Sequence, residues 1–191
     1  MYAGHGAPDG GAEGKSGILE KDLNLAVSQK LQKFFEQNGT YVIITRSDDS
    51  GIYDVSGSIR SKKNQDLKNR EKIIEESNAD IFISIHMNKF QESKYSGPQV
   101  FYSPNNEESK TIAECVQKSM TECLKPSSER KIKKADGSIY LLKKAKIPAI
   151  LVECGFLSNT EEEQKLIDED YQKQIAWSIY AGILKYYDKG A

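Results

Sequence analysis

Histidine occurs only twice in 191 residues, cysteine only three times, and neither sign of charge prevails, with 27 Lys and Arg against 28 Asp and Glu. Each scarcity excludes something. Cys115, Cys123 and Cys154 form no CxxC pair and no even-numbered framework, which argues against a disulfide scaffold and a cysteine-built zinc site. They read as small apolar core residues. A formal net charge of −1 and a pI near 6.2 leave no broad basic face for nucleic acid, only local anion contacts at "KIKK", 131–134. No run reaches the roughly 18 apolar residues of a membrane span. There is no internal repeat or low-complexity segment. At 38% hydrophobic, the chain fits one domain, residues 1–191, with core enough to fold without staples.

What is present alternates between two periodicities. Residues 4–17 are glycine-rich and read as a loop; 19–37 carry an amphipathic helix closed by Asn38-Gly39. "YVIITR", 41–46, reads as a short strand, and the polar stretch 47–64 as a surface loop. Leu67, Arg70, Ile74 and Ser77 mark a second helix, followed by strands at 81–86 and 98–103. Ile112, Val116, Met120 and Cys123 have helical spacing. "DGSIYLL", 136–142, reads as a turn entering a strand, and "IPAILVEC", 147–154, as a strand covered on both faces. Two helices close the chain, the last marked by Ile175, Ile179, Ile183 and Tyr186. This alternation predicts an α/β domain with a mostly parallel central sheet and helices on both faces.

Ligands of open α/β sheets bind beyond the carboxyl ends of the strands. His86 ends the run "IFISIH", and Glu153 follows the apolar Ala149–Val152. Two strand ends therefore present chemistry to one edge. At about 100° per residue Glu20 falls within the helical stripe of Leu23, Val27, Leu31 and Phe34. An ionised carboxylate there is costly unless paired or bound to metal; the alternative is a first-turn Glu favoured by the helix dipole and reaching solvent. His5 lies in "AGHGAPDGG", where glycines on both sides permit sharp turning and close approach. Two His, one carboxylate and an open position make a recurrent catalytic zinc set. The same loop holds Gly14-Lys15-Ser16, a fragment of a phosphate-binding loop. The full pattern requires glycine where Asp9 stands, which speaks against nucleotide binding.

The ordered set "GHGAPDGGAEG", Glu20, "TR" (45–46), "LKNR" (67–70), "SIHMN" (84–88) and "LKKAKIPAILVECGFLSN" (142–159) closely resembles the Amidase_3 type of N-acetylmuramoyl-L-alanine amidases over nearly the whole chain. The wording of the first motif is most like the spore-cortex amidases. The resemblance implies one zinc ion held by His5, Glu20 and His86, with Glu153 as the catalytic carboxylate at the carboxyl ends of the sheet. It implies hydrolysis of the amide between N-acetylmuramic acid and L-alanine in peptidoglycan. Asn88, Arg70 and Asn159 are motif residues, to be expected in substrate contact or in support of the ligands. A non-catalytic peptidoglycan-binding or scaffold protein is the alternative, against which all four chemical positions stand intact.

Two departures bear on the expectation. Tyr2 stands where the family carries an Asp, so both the first strand and the support of His5 are in question. Met1, Tyr2 and Ala3 lead straight into the loop with no signal-like segment. The expectation is a domain exported to the cell wall or spore envelope through a targeting segment outside this sequence. A zinc site of three protein ligands also makes an accessory or activating protein a reasonable partner.

Overall fold

The computed structural model describes residues 1–54, 56–188 and 190. Among these, five strands form one sheet in the order β1-β2-β5-β3-β4: β1 (Tyr2–Ala3), β2 (Phe82–Asn88), β3 (Gln99–Tyr102), β4 (Lys133–Lys134) and β5 (Ala149–Phe156). Only the β3–β5 pairing is antiparallel. Six helices accompany it: α1 (Glu20–Gln37), α2 (Ile59–Glu76), α3 (Glu108–Leu124), α4 (Tyr140–Lys144), α5 (Thr160–Ile167) and α6 (Glu169–Tyr187).

Alternation along the strands assigns the two faces, since successive side chains point to opposite sides. Ile83, Ile85 and Met87 of β2 join Ile150, Val152 and Cys154 of β5 against Leu23, Val27 and Leu31 of α1 and the apolar faces of α3 and α6. Phe82, Ala149 and Leu151 face the other way, onto Leu141 and Leu142 of α4 and Leu67 and Ile74 of α2. The sheet is thus covered on both sides, as expected. His86 and Glu153 fall by the same alternation on the α2/α4 side.

Three local expectations are corrected. Residues 41–46 form no strand: they run beside β1, where the Met1 amine donates to Ile43 O at 2.6 Å and Thr45 N donates to Met1 O at 3.0 Å, too short a ladder. The polar stretch 47–64 is not all loop, because Ser58 accepts from Ser61 N at 3.3 Å and caps α2. That helix buries only Asp66 and Arg70, so its polar first turns lack an apolar stripe. "DGSIYLL" turns into α4 rather than a strand. Consecutive Leu141 and Leu142 are both buried, which alternation across a strand facing solvent would forbid. The unexpected β4 comes instead from "KIKK", paired to β3.

Strands β2 and β5 also continue two and three residues past His86 and Glu153. The chemistry stands near the carboxyl ends rather than at the last residue.

Candidate active site

Glu20, the first residue of α1, enters the core at 4% exposure. Its carboxylate is fully engaged. Oε1 lies 2.9 Å from His86 Nδ1 and accepts from Met87 N at 3.1 Å. Oε2 lies 3.1 Å from His5 Nε2 and accepts from Ala12 N at 2.9 Å. Asn24, one turn on, donates to Oε1 at 3.3 Å and to Gly4 O at 3.2 Å. Burial opposes ionisation of Glu20, but the hydrogen bonds to His5 and His86 overcome it and hold its carboxyl well below the usual range.

His5 takes a left-handed backbone conformation, φ 62°, which a residue with a Cβ adopts only when the surroundings impose it. Three groups do so. The Tyr2 hydroxyl accepts from His5 N at 3.2 Å, Arg70 donates to His5 O at 3.0 Å, and Asp9 Oδ2 meets His5 Nδ1 at 2.8 Å. Burial disfavours the imidazolium, yet the hydrogen bonds to Asp9 and Glu20 raise His5 to about 9. His86, mostly buried, is lowered by burial despite Glu20, towards the neutral imidazole that binds metals.

The support is built from buried polar groups. Arg70 is fully buried, paired with Asp66 through Nε and Nη2, and its guanidinium lies 4.4 Å from the Tyr2 ring centroid. Arg46 donates to the carbonyls of Ala3, Gly4, Lys21 and Asp48, tying β1 to the start of α1. Tyr2 thus serves where an Asp was expected, and Asp9 orients His5 through its far nitrogen, the usual way of fixing a ligating imidazole.

The donor set suits a metal ion. One nitrogen from each His and one Glu20 oxygen lie within 4.8 Å of one another, and ligands about 2.0–2.2 Å from one zinc ion stand a little over 3 Å apart. The surrounding glycines make room for it. A Cβ on Gly4 would lie 2.4 Å from His86 Cε1, and one on Gly11 2.6 Å from Glu20 Oε2. Glu153 completes the arrangement. It is the register partner of His86, and its buried Oε2 has no hydrogen-bond partner among the described residues. Burial first, and the charge of Glu20 second, push its carboxyl up to about 8.

These groups open on a cavity of about 250 Å³ walled by Lys63, Leu67, Ile139 and Tyr140. A larger one, about 420 Å³, lies at the opposite end of the sheet among Tyr41, Ile74, Ile81 and Leu184, and none of His5, Glu20, His86 and Glu153 lines it. Chemistry, not size, selects the first.

The other motif residues stand apart. Asn159 caps α5, accepting from Glu161 N and Glu162 N and donating to Ser93 O at 3.0 Å. Asn88 ends β2, its carbonyl accepting from Leu157 N at 2.8 Å. Neither lines the cavity. The Gly14-Lys15-Ser16 triplet is pinned to α5, with Lys15 on Thr160 and Ser16 on Glu163, and forms no phosphate cradle. Sequence alone marks neither Asp9, Asp66 nor Lys63 as a site residue, and of Tyr2 it shows only the departure from the family's Asp. They lie in a loop, a two-residue strand and a polar helix turn, where no periodicity marks a residue as inward.

The family model described as N-acetylmuramoyl-L-alanine amidase, Amidase_3, matches residues 1–185. The chain belongs to this family. The germination-specific N-acetylmuramoyl-L-alanine amidase of Bacillus subtilis is 39% identical over 189 residues, 98% of this chain and 78% of that protein. The solved structure of the CwlD amidase from Clostridioides difficile, in complex with the GerS lipoprotein, has a TM-score of 0.95 at 46% identity, covering 98% of this chain and 96% of that one. An N-acetylmuramoyl-L-alanine amidase from Clostridium difficile 630 gives a TM-score of 0.86 at 34% identity, covering 100% and 96%. As a member of the Amidase_3 family the protein is an enzyme, an N-acetylmuramoyl-L-alanine amidase with the single α/β architecture of these relatives.

Proposed function

We propose that this amidase is zinc-dependent and cleaves the bond between the lactyl group of N-acetylmuramic acid and the L-alanine of the stem peptide, in the cell wall or spore cortex. His5, Glu20 and His86 hold the ion and Glu153 moves the proton. One observation carries the reading: three ligand-type atoms converge beside a buried carboxyl oxygen that no group among the described residues satisfies. Bound zinc supplies a Lewis acid that polarises the scissile carbonyl and lowers the pKa of water.

The side chains account for the rest. Glu153 takes the proton from the attacking water and delivers it to the alanine nitrogen, since an amine leaves only when protonated. Its buried oxygen, set on β5 beside His86 of β2, is held by the sheet where the proton must be passed. Asp9 keeps the His5 imidazole turned with Nε2 inward, while Tyr2 and Arg70 clamp its strained backbone. Arg70 therefore acts in support of a ligand, and Asn159 and Asn88 shape the loops around the site.

The relative from Clostridioides difficile forms a complex with a lipoprotein, which supports an accessory protein as a partner here. Among the described residues no helix is long and apolar enough to cross a membrane. Action on peptidoglycan supports a working location outside the cytoplasm. Metal analysis of the purified chain, joined to identification of the peptides and glycans released from peptidoglycan, tests the reading. Stem peptides released only with zinc present are expected; release unaffected by exhaustive chelation defeats it.

A further inference from the structure

The cavity in front of Glu153 is lined by three acids and one basic side chain, besides the two histidines. Asp66 is committed to Arg70 and to Ile52 N at 2.6 Å. Asp9 Oδ2 is shared, 2.8 Å from His5 Nδ1 and 2.8 Å from Lys63 Nζ. Lys63, in the second turn of α2, is the sole Lys or Arg among the described residues lining the cavity, and its side chain is 47% exposed. An ammonium has three donors, so the bond to Asp9 leaves two for a ligand. An ion pair this exposed is weakly held and readily shared.

We propose that Lys63 is a specificity residue, its ammonium receiving the free carboxylate of the acidic residue that follows alanine in the stem peptide. The inference rests on the amidase reading and deepens it. Two reasons carry it. Of the charged side chains that line the cavity, Asp9, Asp66 and Glu153 offer an entering carboxylate no attraction, which leaves Lys63 to receive it. The reach is also right: Lys63 is two successive 2.8 Å contacts from the His5 ring, within about two residues of extended peptide at roughly 3.3–3.6 Å each. Apolar walls at Leu67 and Ile139 leave the rest of the contact to the peptide backbone and its aliphatic portions.

The test compares two muramoyl peptides that differ only at the second residue, one an isoglutamate with its α-carboxylate free and the other its isoglutamine amide. With the zinc-loaded full chain, kcat/KM should favour the acid by about tenfold, the effect of one partly exposed charge-assisted hydrogen bond. Lys63→Met should reduce the preference to within about twofold through KM for the acid, and Lys63→Arg should retain it. Zinc affinity, measured by chelator competition, should not change in Lys63→Met. A loss shared equally by both peptides, or a fall in zinc affinity that tracks the rate, would make Lys63 a prop for Asp9 and overturn the assignment. Equilibrium binding separates it from the parent reading. If neither peptide is cleaved but the acid binds about tenfold tighter, Lys63 stands and the amidase reading falls; equal binding of both overturns the Lys63 assignment.

Discussion

His86 and Glu153 are register partners on the adjacent parallel strands β2 and β5, so one candidate ligand and the candidate proton carrier share a face of the sheet. Their relative position is set by backbone pairing, the least deformable part of the fold. Glu153→Gln should therefore lower kcat by about 10²–10⁴, the usual value of a positioned acid–base group. Zinc content, measured by metal analysis, should remain at the wild-type level. Retained turnover would remove Glu153 from the mechanism.

Glu153 also predicts a pH dependence for the chelated protein. Its carboxyl is raised to about 8 in the fold, so the folded state holds a proton that the unfolded state releases above its ordinary value of 4.5. That contribution is fully present below about 4.5 and is lost as pH rises towards 8. Across this window stability should fall with a slope approaching about 1.4 kcal/mol per pH unit from this group alone. Glu153→Gln has nothing to release, so the wild-type-minus-variant difference in urea midpoint should slope downward from pH 5 to pH 8. A flat difference would contradict the assigned burial.

Asp9 holds the far nitrogen of His5 at 2.8 Å. Asp9→Asn should weaken zinc binding by about 10–100-fold, the usual cost of losing a carboxylate behind a ligating histidine. Tyr2→Phe removes only the hydroxyl that accepts from His5 N, and its effect on affinity should be smaller. Chelator competition on the two variants orders them.

Arg70 and Asp66 form a buried pair beneath the site, exposed by 0% and 8%. Removing one member strands the other's charge. Arg70→Met should cost about 3–5 kcal/mol of stability in denaturant unfolding. Arg70→Lys keeps the charge but loses the two-nitrogen grip on Asp66 and the stacking on Tyr2. Its deficit should appear in zinc affinity as well as stability.

Gly4 tests the cradle itself. A Cβ there would lie 2.4 Å from His86 Cε1 and 2.7 Å from Asn24 Nδ2, a separation that real side chains do not tolerate. Gly4→Ala should displace the His86 ring and abolish stoichiometric zinc binding, while far-ultraviolet circular dichroism stays close to wild type. Full zinc occupancy in this variant would show that His86 is not constrained as described.

Glu20 was legible because a helix has a period: an acid within the stripe of Leu23, Val27 and Leu31 must be buried or out of register, and it is buried. His86 and Glu153 were legible because strands of such apolar character lead into them. The expected strand at 41–46 failed for the opposite reason. β-propensity describes a residue's fitness for a pleated surface, while a strand needs a partner's backbone beside it, and among the described residues only Met1 supplies backbone bonds there. The hidden start of α2 at Ile59 has the same origin, since a polar helix carries no apolar stripe to read.

Local sequence determined the alternation of elements, the two central strands, the inward acid of α1 and the two histidines in glycine-loop and strand-end settings. These follow from periodicity and composition, which are properties of short windows. Tertiary structure decided that Tyr2 and Arg70 clamp the backbone of His5, that Asp9 rather than an acid in β1 orients its ring, and that Lys63 leans over the cavity. Those are contacts among the first strand, the glycine loop and α2, up to 65 residues apart for Arg70 and His5. No local pattern encodes them, because a hydrogen bond between distant segments exists only once the sheet and helices have brought both ends together.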